Sequence, residues 1–398
     1  MRAMLGLAVG AAAAMLGAQG AVAQRPAPNA GPAWDGFVQA FETYARAQGV
    51  VGASAALVSD GRIAARRHFG LADRATGKPV DDRTILHWGS ITKTQTAIAV
   101  MQLRDRKQLS LDDPIVRWLP ELRRVHDPYG TMGQISLRML LSHTAGFRNG
   151  TWPYGDGSSW QPFEPTDWSQ LVAMMPYQQL LFEPGSRYSY SNPGFIYLAR
   201  VIEQESHDPW AVYIQKNIWT PLGMTRSYVG FTPYHLVADR GHGYVVTRPR
   251  GASTDSTEDV GAEFDPGITI PNGGWNAPID DVAAYANFLL GRPADAAAKA
   301  RYEGVLTRVS LEEMWQPVLS SAEGYTAGES VGLSFFLMQR SGRRVVGHTG
   351  GQGGYQSFLY LDPSTGKAII ANFNTTNEAR PDRAAWNRLV QAALATLD

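Results

Sequence analysis

Cysteine is absent from all 398 residues. Its absence excludes disulfides, thiolate catalysis, cysteine-based metal sites and a lipid-modified N-terminal cysteine. An excess of charge is missing too: 36 Lys and Arg balance 36 Asp and Glu. Nothing in that balance favours nucleic acid or an anionic membrane as a partner. The eight histidines show no paired spacing for zinc, and no acidic cluster suggests calcium or magnesium. No cofactor or metal is therefore expected. There is no internal repeat and no low-complexity domain.

What is present is an ordinary globular composition, 44% hydrophobic, enough for one large domain or two smaller ones. Residues 1–23 have the make-up of a secretory signal: Arg2 supplies charge, residues 5–16 are apolar, and Ala21-Val22-Ala23 is a small-residue cleavage site. That apolar run is too short for a comfortable membrane span. The expectation is cleavage after Ala23, a periplasmic or secreted protein, and no stable membrane insertion. Residues 24–33 read as a Pro/Ala linker and residues 34–398 as the folded part.

Within that part, strand-like alternation occupies residues 50–58, 62–69, 331–339, 343–347, 355–361 and 368–373. Helical patterns lie at both ends, over residues 34–48 and 384–397, and between the strand groups, including residues 94–103, 136–141, 193–203 and 279–290. Residues 71–86 read as a connecting loop and residues 248–271 as a polar loop. The economical fold is α+β: one antiparallel sheet built from both ends of the chain, flanked by terminal helices. The α/β part takes about 34–108 and 300–398, and a mainly helical part about 109–299 is inserted.

The chemistry centres on His87-Trp88-Gly89-Ser90-Ile91-Thr92-Lys93. It opens an apolar run that reads as a buried helix, with Ser90 at its first turn. Residues three apart share a helix face, so Ser90 and Lys93 can sit side by side. A serine hydroxyl needs a base to become a nucleophile, and a lysine of lowered pKa can be that base. Ser-x-x-Lys alone is weak; a second copy, Ser364-Thr365-Gly366-Lys367, falls in a turn with no helix to align it. Tyr190-Ser191-Asn192 lies at a loop-to-helix junction, where a tyrosine can relay protons and Asn192 offers a donor and an acceptor. Its decoy, Tyr285-Ala286-Asn287, is mid-helix. Gly347-His348-Thr349-Gly350-Gly351 ends a strand in glycines that allow close approach, and places a second oxyanion N–H, from Gly351, beside that of Ser90.

These three motifs, in this order, resemble the class C β-lactamase superfamily, which includes penicillin-binding DD-peptidases, family VIII carboxylesterases, D-aminopeptidases and related amidases. The similarity covers residue 34 to the C-terminus. Leu111-Asp112-Asp113-Pro114, Leu140-Leu141-Ser142-His143-Thr144-Ala145-Gly146, Phe182-Glu183-Pro184-Gly185 and Pro221-Leu222-Gly223-Met224 add to it. The resemblance implies a β-lactamase/transpeptidase-like fold and two-step acyl transfer. Ser90 is then the nucleophile, Lys93 and Tyr190 share the base role, and the N–H groups of Ser90 and Gly351 hold the oxyanion. Asn192, His348, Thr349 and Gly350 bind substrate. One departure matters: the β-lactamases of this class carry lysine where this chain has His348. Loss of that permanent charge shifts the expectation from β-lactams toward esters and peptide-like amides.

The expected function is an exported serine hydrolase cleaving a carboxylester or a small amide through an acyl-enzyme on Ser90. β-Lactamase or DD-peptidase activity, or an acyl-binding sensor without turnover, are the alternatives. A rival nucleophile, Ser330 in Gly328-Glu329-Ser330-Val331-Gly332, is followed by a strand-like run rather than the helix an α/β-hydrolase elbow needs. Trp152, Tyr154, Trp160, Phe163 and Trp168 read equally as an apolar lid or as a self-packed loop. His143 reads as a structural histidine. Nothing in the sequence defines an oligomeric state.

Overall fold

Alternation with period two at both ends of the chain produces a sheet buried on both faces. The computed structural model describes residues 31–150, 165–263, 267–293, 295–319 and 330–398. Residues 1–23, read as a signal, and most of residues 24–33, read as a linker, lie outside the described residues, as do Trp152, Tyr154, Trp160 and Phe163 and the Gly328-Glu329 half of the rival serine motif.

Helix α1 (Pro32–Ala47) starts on a proline, whose missing N–H costs nothing at a first helical position. Strands β1 (Gly52–Ser59) and β2 (Arg62–Asp73) turn through Asp60 and Gly61, both at positive φ. The short β3 (Lys78–Pro79) and β4 (Ile85–Gly89) lead to α2 (Thr92–Asp105). The middle of the chain supplies α3 (Leu137–Leu141), α4 (Trp168–Met174), α5 (Asn192–Ser206), α6 (Trp210–Ile214) and α7 (Thr220–Leu222). Strands β5 (Gly243–Thr247) and β6 (Ser256–Gly261) follow, then α8 (Ile270–Gly273), β7 (Trp275–Pro278) and α9 (Ile279–Leu290). After α10 (Ala296–Val305) and α11 (Arg308–Glu313) come β8 (Ser330–Val331), β9 (Phe336–Arg340), β10 (Arg343–Gln352), β11 (Tyr355–Asp362), β12 (Lys367–Phe373) and β13 (Thr375–Asn377). Helix α12 (Arg383–Ala395) closes the chain, capped by the Asp382 carboxylate on the Ala385 N–H.

The main sheet has the order β3-β2-β1-β12-β11-β10-β9-β8, antiparallel throughout. Along β11 and β12 alternate residues enter different cores. Phe358, Tyr360, Ile369, Ala371 and Phe373 pack with α1 and α12, while Leu359, Leu361, Ala368 and Ile370 pack toward α2 and α9. The same alternation continues to Ser357 and Asn372, which are register partners on the α2 side. There the apolar pattern stops for a reason. Strand β4 crosses this end of the sheet, and Ser357 Oγ donates to Trp88 O (3.0 Å) while Asn372 Nδ2 donates to His87 O (2.8 Å). On its other side β4 pairs with β7.

Two expected loops contain strands. The 71–86 loop is entered by β2 and left by β4, and β6 within residues 248–271 pairs with β5. Strand β4 is five residues and buried throughout, and β6 is six residues and buried nowhere, so neither carries an apolar alternation in sequence.

Removing a donor from the β4 crossing takes one hydrogen bond from a buried carbonyl, which costs about 0.5–1.5 kcal/mol. Asn372→Ala is expected to lose stability in that range by urea unfolding, together with turnover. Full stability would mean that His87 O has another donor.

Candidate active site

Ser90 stands in the turn between β4 and α2, one residue before the helix cap at Ile91. Gly89 makes this junction possible. Its φ of 54° suits glycine, and a Cβ there would lie 2.8 Å from Gly351 N. Gly350 is equally constrained, because a Cβ would strike Trp88 O and Ser357 Oγ. The backbone before Ser90 therefore lies directly on the Gly350-Gly351 backbone. Strand β9 pairs with β10 only as far as Gly347, so the following residues of β10 are clear of β9 where β4 meets them. Thr92 locks the turn: its Oγ1 donates to Gly89 O (2.6 Å) and accepts from Trp275 N (3.0 Å).

Helix α2 is buried from Thr92 to Leu103, and its polar side chains find partners inside the protein. Thr96 Oγ1 donates to Pro271 O (2.6 Å), and Lys93 Nζ reaches Asn272 O (2.7 Å) and Ser90 Oγ (3.1 Å). Lys93 has no exposed surface. Burial alone drives its pKa well below the ordinary 10.5. Aromatic rings complete its surroundings, with Nζ 4.8 Å from the Tyr190 ring centroid and 5.7 Å from that of Phe195. Nζ donates to both Asn272 O and Ser90 Oγ; once deprotonated, the amine has a lone pair that can take the Ser90 proton.

Tyr190 and Asn192 arrive on the approach to α5, whose Ser191 side chain caps the helix on Gly194 N. Asn192 Oδ1 accepts from Asn272 Nδ2 (3.3 Å) and its Nδ2 donates to Asn149 Oδ1 (3.1 Å). Ser90, Tyr190, Thr349, Gly350 and Gly351 line a cleft of about 850 Å³, whose wall also includes Tyr44 and Trp386.

His348 differs from the expectation of substrate contact. It is buried, its ring packs against Phe336 and near Tyr190 (centroids 4.7 and 6.2 Å), and it does not line the cleft. The pleat sets which core each side chain meets. His348 pairs with Leu359, on the α2 side of the sheet, whereas its neighbour Thr349 pairs with Phe358 on the other side. Its Nδ1 donates to Thr349 O (2.5 Å), and burial with the nearby Lys93 lowers its pKa to about 3. The ring is neutral at physiological pH.

Two participants escaped the sequence reading. Asn272 holds both Lys93 and Asn192, yet sits just past the polar loop read at 248–271, in a stretch given no role; the signal there is Pro271-Asn272-Gly273-Gly274 just before a tryptophan. His143 stacks on Tyr190 with ring centroids 4.4 Å apart. The decoys stay apart. Ser364 to Lys367 form the β11–β12 turn, and Tyr285 is buried in α9 with its hydroxyl against Thr94 Oγ1. Among the described residues, Asp73, His242 and Asp259 bring ligand-type atoms within 4.8 Å of one another, but none lines the cleft.

A serine at the mouth of a buried helix, its lysine beneath it and a strand edge beside it, on this sheet, is the β-lactamase/transpeptidase-like arrangement. The chain belongs to the β-lactamase family, whose model, described as Beta-lactamase, matches residues 37–394. Esterase EstB of Burkholderia gladioli is 34% identical over 197 residues, 46% of this chain and 48% of that protein. Penicillin-binding protein 4* of Bacillus subtilis is 26% identical over 315 residues, 76% of this chain and 64% of that protein. The chain thus spans about half to two thirds of the length of these relatives. Among solved structures, the octameric penicillin-binding protein homologue from Pyrococcus abyssi aligns with TM-score 0.73 at 25% identity, covering 91% of this chain and 77% of that one. A class C β-lactamase aligns with TM-score 0.70 at 17% identity, over 92% and 95% of the two chains, a likeness of fold.

A lysine whose pKa is lowered in the fold binds its proton more readily when unfolded. It therefore weakens the fold fully below its folded pKa, and this cost fades as pH rises toward 10.5. Lys93→Met is expected to lose about 10²–10⁴-fold in activity, the usual contribution of a general base. Its melting temperature relative to wild type is expected to fall between pH 7 and pH 10. A pH-independent difference would mean that the amine is protonated in the fold.

Proposed function

We propose that this protein is a serine hydrolase that cleaves a carboxylester or a small peptide-like amide through an acyl-enzyme on Ser90. The observation that carries the reading is the buried Lys93 amine, 3.1 Å from Ser90 Oγ and lowered in pKa. The Ser90 proton passes to Lys93 Nζ as Oγ bonds to the substrate carbonyl carbon. The N–H groups of Ser90 and Gly351 receive the oxyanion; one such donor is typically worth ~10²–10³ in rate. The bond to the leaving group breaks, and the proton returns to that group through Tyr190. Water then enters, gives a proton to the same base as its oxygen bonds to the acyl carbon, and the acid leaves as Ser90 Oγ takes that proton back.

Two observations support an ester over a β-lactam. His348 is neutral and buried, so it offers no cation to a β-lactam carboxylate. A relative is named as an esterase. In this reading Thr349 and Gly350, which line the cleft, and Asn192 beside Tyr190 orient the substrate's acyl side. Export to the periplasm or medium belongs to the same reading, supported by the charge, apolar core and Ala21-Val22-Ala23 site of residues 1–23.

The test is hydrolysis of p-nitrophenyl butyrate and of a chromogenic cephalosporin by purified residues 24–398, with Ser90→Ala as blank. Fast ester turnover, little cephalosporin turnover and loss of both in the blank are expected. Fast cephalosporin turnover would sink the His348 argument. A stable acyl adduct with no product release would make the protein a sensor. Activity surviving in Ser90→Ala would remove Ser90 from the chemistry altogether.

A further inference from the structure

We propose that His143 is a positioning residue for Tyr190, holding the phenol in register with the Lys93 amine. The inference rests on the acyl transfer proposed above and assigns what holds its proton carrier in place. His143 follows α3, where its own N–H donates to Leu140 O (3.2 Å). Its φ is 58°, a left-handed conformation uncommon for a residue with a side chain. From there three of its groups meet one short segment. The carbonyl oxygen accepts from Ser189 N (2.8 Å), and ring Nδ1 accepts from Ser191 N (3.0 Å). The ring stacks on Tyr190, 28° from parallel.

The two accepted N–H groups belong to the residues immediately before and after Tyr190. Its backbone is bracketed and its ring is backed by the same histidine. Thr144 O extends the brace by accepting Gly185 N (2.7 Å), and Phe195 closes on the imidazole from α5 (centroids 5.1 Å). A residue needed only to end α3 would use its backbone. Here a ring nitrogen and a ring face are both committed to the Tyr190 segment.

The contact also fixes a tautomer. Because Nδ1 accepts from a backbone N–H, the proton must be on Nε2, which is buried with no hydrogen-bond partner among the described residues. A second proton would destroy the acceptor. Burial opposes it, and so do Lys93 and His348, the basic groups that bear on the ring. Tyr190 and Tyr188 are the other titratable groups packed on it.

Substitutions can separate the stack from the acceptor. His143→Phe keeps an aromatic face and loses the acceptor. His143→Asn loses the stack, but tolerates positive φ and carries an oxygen close to the place of Nδ1. On p-nitrophenyl butyrate, His143→Phe is expected to lower kcat about 10–100-fold with little change in KM, the scale of a misplaced catalytic group. In a Tyr190→Phe background the same substitution is expected to cost less than about threefold, because its effect passes through Tyr190. His143→Asn is expected to recover at least part of kcat. Equal losses in both backgrounds would overturn the proposal and leave His143 as a support of the fold. A measurement without turnover decides separately. Imidazole ¹⁵N NMR of the intact protein is expected to show His143 as the neutral Nε2–H tautomer across about pH 5 to 8. An Nδ1–H or doubly protonated ring would overturn the proposal even in an active enzyme. A wild type that hydrolyses neither an ester nor a small peptide-like amide would instead fail the hydrolase reading, and the tautomer would then decide His143 alone.

Discussion

An amine buried without a carboxylate partner is the constraint on which this structure depends. Water normally solvates a lysine, and withdrawing it is costly unless the charge is given up. Lys93 is surrounded instead by Asn272 O, the Ser90 hydroxyl and the rings of Tyr190 and Phe195. Among the described residues no carboxylate pairs with Lys93 to restore its charge. A carboxylate would strengthen the fold and disable the base. The site thus gives up stability to keep an amine of lowered pKa beside Ser90.

The surrounding elements hold that geometry at several points. Strand β4 is tied to the main sheet by side chains, Ser357 and Asn372, rather than by a strand ladder, and to β7 by backbone pairing. Glycine at positions 89 and 350 lets the two backbones meet closely enough to bring Ser90 beside Gly351. From the helical side, α2 presents Lys93 and anchors the Pro271-Asn272 backbone, while Asn272 reaches on to Asn192. The centre is therefore shared between the sheet and the helical region, with the cleft along their junction.

The features legible in the sequence were those with strong local periodicity or motif chemistry. Terminal helices, the long strands, α9 and the Ser90, Tyr190 and Gly351 motifs belong to this group. What escaped detection depends on long-range contacts. Strand β4 is five residues long and runs into an apolar helix, so no change of period marks it. Ser357 and Asn372 look like polar interruptions of strands until β4 is seen across them. His348 sits in a recognisable motif, yet which face it takes is set by the register of β10 on β11. His143 reads as structural because its partner segment lies more than forty residues away.

The most direct measurement is the protonation state of Lys93 itself. A ¹³Cε-lysine NMR titration of the Ser90→Ala protein, assigned with Lys93→Met, follows this amine without any substrate. The account predicts one lysine that titrates far below 10.5 and is neutral where the enzyme works. A Lys93 signal that titrates near the ordinary lysine value would contradict it, because the amine beside Ser90 would then be a charge and not a base.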